Sequence, residues 1–232
     1  LGAKVAAFMS AAALFLGFYL ILRKYADRKI IPFMLLGFLF SANFLETISS
    51  PRPLTLVILL NLWIIHLLIQ KKYLWLFFAG ILYSLIHVTS PLAICYAVII
   101  ECIRRAHVKE FSLKNIFVVF SGVLAGFLIH PNFPNNFLVF YLNSILVPIY
   151  TMKTGVLELG AEFFPLNTRD YLLGYPVVMM AIIIMIRIAV SKVIKPRFET
   201  KAFLAIGMVF LVLSFISQRY LSHGYLIMLV AL

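Results

Sequence analysis

The feature that most constrains this chain is a succession of long apolar runs separated by short polar breaks. The runs cover approximately 5–22, 30–44, 54–69, 73–88, 92–102, 116–129, 172–190, 202–216 and a last one from 225. A helix needs about 20 apolar residues to cross a hydrocarbon core, and these runs approach or reach that length. Strands of a membrane barrel would be shorter and would alternate in polarity. In lipid, segments of this kind satisfy their own backbone only as helices. The expected fold is therefore all-α: a polytopic helical transmembrane bundle of about nine hydrophobic segments. It includes one short-helix pair and one long outer loop over about 130–171. The 232 residues are 64% hydrophobic, far above a soluble core, and read as a single transmembrane domain. Both ends fall within apolar sequence, so the chain is expected to be an internal fragment of a longer protein.

A net charge of +12 would suggest nucleic acid in a soluble protein. Here the cations sit beside apolar runs, where anionic headgroups account for them, so no nucleic-acid partner is expected. One alternating topology places fifteen of the twenty Lys and Arg on one side. They include Arg23, Lys24, Lys71, Lys72, Arg104, Lys109, Lys114 and Lys201. The other side keeps Lys4, Arg52, Lys153, Arg169 and Arg219, while the acids divide equally. Because positively charged loops face the cytoplasm, this fixes the orientation. It requires 73–102 to form two short segments turning near Ser90-Pro91, since proline biases the preceding residue away from helix. Cys95 and Cys102 match no metal spacing and read as small buried hydrophobes rather than a disulfide.

With that orientation the polar residues outside the basic loops converge on the opposite face. His130-Pro131-Asn132-Phe133-Pro134-Asn135-Asn136 is the densest group. An imidazole and carboxamides there suit the hydroxyls or phosphates of a ligand; equally, the prolines end one helix and Asn135 or Asn136 caps the next. Glu158 and Glu162 share a helical face, and Arg169 and Asp170 follow. Paired carboxylates suit a divalent cation or a base, and Arg suits phosphate. Local ion pairs in a solvated loop are the alternative. Glu46 and Arg52 flank an outer turn, where Arg52 either meets an anionic group or snorkels to headgroups. His87 stands beside Thr89 and Ser90 at the tip of the short pair, and an ionisable residue at membrane depth is a candidate by default. His66 is expected to bond a neighbouring helix, and His107 to have no special role. Arg219 and His223 complete the set, with Tyr220 as an interface anchor. No Walker loop, GxGxxG, HExxH or CxxC occurs, and no charged pair is evident mid-helix of the kind proton-coupled transporters use.

The layout resembles the polytopic glycosyltransferases of the GT-C class. The resemblance is carried by Arg52-Pro53 leading into a helix, the basic break Lys71-Lys72, His87 at a short-helix tip, and a long loop opening with HPNFPNN. It implies a sugar transferase with a polyprenyl-phosphate-linked donor, working at the outer face of a bacterial cytoplasmic membrane. Arg52, His87, His130, Asn132, Asn135, Arg169, Arg219 and His223 would bind substrate there, with an Arg near the lipid phosphate. The class uses an acidic residue in its first outer loop as base or metal ligand. No such loop and no DxD occurs here, so the base is expected upstream of Leu1, with Glu162 the candidate inside the chain. The cofactor stays open, with a divalent cation as a candidate. An oligosaccharide polymerase or ligase, a transporter or flippase for an amphipathic lipid, and a structural subunit are the alternatives.

Overall fold

The structure is a computed structural model. It describes residues 2–50, 53–147, 167–169, 175, 179, 182–183 and 196–231, with backbone only at 42, 43 and 219. The described residues form ten α-helices and no strand: α1 (Gly2–Tyr25), α2 (Ile31–Leu39), α3 (Ala42–Ser49), α4 (Leu54–Ile69) and α5 (Tyr73–Ile86). There follow α6 (Leu92–Val108), α7 (Leu113–Ile129), α8 (Asn135–Tyr141), α9 (Phe198–Ser214) and α10 (Arg219–Ala231). A π-helical turn, Leu142–Leu146, continues α8. The run 172–190 lies almost wholly outside the described residues, as does 148–166 of the expected long loop.

Several elements differ from the sequence expectation for local reasons. The run 30–44 is two short helices, because the chain breaks at Phe40 and Ser41 then caps α3 by accepting from the Phe44 amide at 3.2 Å. The helix from Leu92 does not stop at Cys102 but reaches Val108, since Glu101 and Arg104 are buried partners rather than loop charges. Both cysteines are exposed and unpaired, contrary to the buried reading, because they fall on the outer side of α6. The turn at His87–Pro91 does separate α5 from α6.

Among the described residues one helix, α1, is long and apolar enough to cross a membrane. Leu54–Ile69, Tyr73–Ile86, Leu113–Ile129 and Tyr220–Ala231 are apolar but shorter. The closest packing joins α5 to α7 and α9 to α10, with α1 on α4 and α6 between α7 and α9. α5 and α7 run parallel. Gly80 faces Val123 and Gly122, Gly122 faces the Phe77 backbone, and Gly126 faces Ser84 and the Ile81 carbonyl. A Cβ on Gly126 would stand 2.7 Å from that carbonyl oxygen. The Gly122-Val123-Leu124-Ala125-Gly126 segment thus works as a small-residue seam that lets two backbones approach.

The helices share two ends. At one end the Tyr25 hydroxyl meets His66 Nδ1 at 2.8 Å, Lys71 pairs with Glu110 at 2.7 Å, and Lys201 Nζ donates to His107 Nδ1 at 3.0 Å. Glu101, with no exposed surface, accepts from Arg104 Nε at 3.1 Å, from the Ser112 amide at 2.8 Å and from Asn115 Nδ2. Arg104 also donates to the Leu68 carbonyl at 3.0 Å and lies 4.7 Å over the Phe198 ring. A buried ion pair is tolerated only when its remaining donors and acceptors are met in this way. The Lys71 ammonium holds the Glu110 carboxyl below the usual carboxylate range. The other end carries the turn 87–91, the α7–α8 corner and the start of α10.

Candidate functional site

A cavity of about 230 Å³ opens at this second end, between the close of α5, the close of α7 and the start of α8. His87, His130 and Asn132 line it together with Ser84, Phe127 and Asn136. Its shape follows from the chain. The α5–α7 seam brings Ser84 against Gly126, and Pro131 and Pro134 turn the backbone so that α8 folds over Phe127. Phe127 stacks on Phe137 with centroids 5.0 Å apart.

The two cavity histidines are held alike. His87 Nδ1 accepts the backbone N–H of Thr89 at 3.2 Å, and His130 Nδ1 accepts that of Asn132 at 3.1 Å. A backbone amide can only donate, so in each neutral ring the proton sits on Nε2, an assignment made by the network. The Thr89 hydroxyl, 2.7 Å from His87 Nδ1, donates to the same nitrogen and accepts from the Tyr83 hydroxyl at 3.1 Å. Asn61 and Tyr96 adjoin that Tyr83 hydroxyl. Tyr96 donates to Asn61 Oδ1 at 3.2 Å, which turns Asn61 Nδ2 toward His223 Nδ1 at 3.1 Å. His223 stacks on Phe210 and returns to His87, their ring centroids 6.4 Å apart. A buried polar network therefore ties α4, α5, α6 and α10 to the cavity wall.

Asn136 differs from the capping role expected of it. Pro134 occupies the cap position of α8, with no side-chain cap bond, and Asn136 Nδ2 instead donates to the Phe127 carbonyl at 2.8 Å. Asn136 is 5% exposed, and its Oδ1 has no hydrogen-bond partner among the described residues. Backbone hydrogen bonding at the helix-to-turn transition thus took the side chain that capping propensity had claimed.

Of the sequence candidates, the structure brings His87, His130 and Asn132 into one wall and sets His223 behind it. Asn135 is exposed at the start of α8 and does not line the cavity; Arg169 is exposed and lies outside the wall. Arg52, Glu158, Glu162 and Asp170, and the side chain of Arg219, lie outside the described residues. Among the described residues no three His, Cys, Asp or Glu side chains gather to hold a metal ion. Sequence reasoning missed Asn61, Tyr83, Tyr96 and Ser84. The one signal for Asn61 was a lone amide inside an apolar run, whereas the tyrosines were indistinguishable from core aromatics. Comparison with protein-family models, with curated proteins and with solved structures finds no match for this chain.

Proposed function

We propose that the chain is an integral membrane protein whose cavity end receives the polar head of a lipid-linked substrate, as a glycosyltransferase with a polyprenyl-phosphate-linked sugar donor would require. The observation that carries this is a cavity with imidazole and carboxamide walls at one end of a bundle with an apolar exterior. Phe8 is 75% exposed, Trp75 64% and Phe117 62%, with many further large apolar side chains outside. An apolar exterior of this extent calls for lipid or a partner. The cations gathered at the opposite end suit a cytoplasmic face, which favours an extracytoplasmic cavity. A lipid-linked substrate would then keep its tail against the bundle and its head in the cavity. In this arrangement His130 presents its ring N–H, Asn132 offers a carboxamide, and His87 stands in the same wall.

A transporter or flippase for an amphipathic lipid is the second reading. It is favoured by the polar network that continues from His87 to Asn61, well inside α4. The deciding experiment is photo-crosslinking of the intact protein in vesicles with a polyprenyl-phosphate sugar carrying the photoreactive group on its head. Adducts on residues 84–90 and 127–139 are expected. Labelling that spreads along α4 and α10, together with movement of the lipid between leaflets, favours the transporter. Labelling of neither region contradicts both.

A further inference from the structure

We infer that the cavity between α5, α7 and α8 is a subsite for a single neutral, hydroxyl-bearing ring, a sugar unit, and not for the phosphate of the same substrate. The inference rests on the head-group reading above and specifies which part of the head enters. Three observations carry it.

The first is the Asn136 carbonyl oxygen. Its amide orientation is fixed, because Nδ2 donates to the Phe127 carbonyl at 2.8 Å and a carbonyl cannot donate in return. Oδ1 is thereby an acceptor, on a buried side chain that lines the cavity, with no donor reaching it among the described residues. A buried acceptor left in this state favours any ligand that brings a hydrogen to it. Sugar hydroxyls do so. Ionised phosphate oxygens carry no hydrogen and would set two acceptors against each other.

The second is the rest of the wall. With Nδ1 of His130 committed to the Asn132 amide, its ring N–H is the Nε2 donor. A hydroxyl both donates and accepts, so neighbouring hydroxyls of one ring match an amide oxygen and an imidazole N–H together. No Lys or Arg belongs to the wall among the described residues, and without a cation there is nothing to balance a phosphate charge. Val88 and Val139 in the same wall supply the apolar surface that the C–H face of a sugar needs.

The third is size. At about 230 Å³ the cavity is smaller than the roughly 300–1,000 Å³ typical of drug-sized ligand sites. One ring enters; an oligosaccharide does not.

The test is ¹⁵N NMR of the histidine and asparagine side chains of the intact protein in phosphatidylcholine nanodiscs. The probes are a methyl hexoside, a monohexosyl diacylglycerol mixed into the bilayer, and inorganic phosphate. We expect saturable shifts of the His130 and Asn136 signals with a hexose-bearing probe, unaffected by phosphate. A response to the glycolipid but not to the methyl hexoside identifies a lipid-linked ligand, and a response to both a free sugar as well. Asn136→Leu should weaken binding about tenfold, the size of one well-made hydrogen bond. His130→Ala, at a half-buried side chain, should weaken it similarly and guards against loss of fold at the α7–α8 corner. Shifts driven by phosphate alone would overturn the inference and leave the head-group reading standing. Hexose binding indifferent to both substitutions would overturn it too, by placing the ligand elsewhere. No shift with any probe, combined with no crosslinking at 84–90 and 127–139, would remove both.

Discussion

Thr89 is a small residue on which the site depends. Its amide and hydroxyl both point at His87 Nδ1, and its oxygen takes the Tyr83 hydroxyl, so one side chain sets a histidine tautomer and satisfies a buried phenol. Thr89→Val keeps the shape and removes the chemistry. It should cost about 1–3 kcal/mol, the penalty for stranding a buried hydroxyl, while Thr89→Ser should cost much less; unfolding in mixed micelles measures both. Glu101 and Arg104 give a sharper case at the opposite end. Glu101→Ala leaves the Arg104 guanidinium buried without its carboxylate and should cost about 3–5 kcal/mol, whereas replacing both by Leu and Met should come close to neutral. Equal losses for the single and double variants would contradict the pairing. Of these residues, His130 beside Pro131 and His87 four residues before Pro91 were legible in the sequence, because a histidine close to a proline at a helix end stands out. Glu101 and Arg104 were not: at the margin of an apolar run a charge reads as solvated, and only the packing of α4, α7 and α9 around it shows otherwise.

At the scale of elements, the α5–α7 seam decides whether the cavity exists, because Ser84 and Phe127 reach it from those two helices. Gly122 meets the Phe77 backbone so closely that even a methyl group has no room, whereas nothing lies within 4 Å of a Cβ on Gly2. Gly122→Ala should therefore destabilise by about 1–3 kcal/mol, as overpacking does, and Gly2→Ala should leave stability unchanged. Differential scanning of both variants in the same detergent makes the comparison. The Lys71–Glu110 pair links the α4–α5 turn to the α6–α7 turn. Its carboxyl is held below the usual range, so its small contribution is complete above that range and is lost as pH falls through the lowered value. Lys71→Met should remove this portion of the acid dependence of unfolding. Helices α4, α5 and α7 were visible as apolar runs, and the Ser90-Pro91 turn as a proline signal. The division of 30–44 into α2 and α3 was not, since Ser41 is a polar break only one residue wide. The four-residue spacing from Gly122 to Gly126 was present in the sequence but is meaningful only once α5 is known to lie against it.

The whole molecule is an all-α assembly with chemically different ends joined by a largely apolar exterior. Among the described residues one helix is long and apolar enough by itself to cross a membrane; the proposal that the others are embedded with it rests on their exposed apolar faces and on the segregation of charge. Lys and Arg at helix ends are readable without any tertiary knowledge, which is why an orientation could be proposed from the sequence. The sequence could not show which polar loop residues converge. That depends on the α7–α8 corner, where a buried amide serves the Phe127 carbonyl instead of a helix cap. The most direct measurement uses single cysteines at Asn132→Cys and Lys109→Cys, in a chain with Cys95→Ser and Cys102→Ser, treated in intact cells with a membrane-impermeant maleimide. An extracytoplasmic cavity predicts labelling at 132 from outside and at 109 only after the membrane is opened. Labelling of both positions from the same side would contradict it.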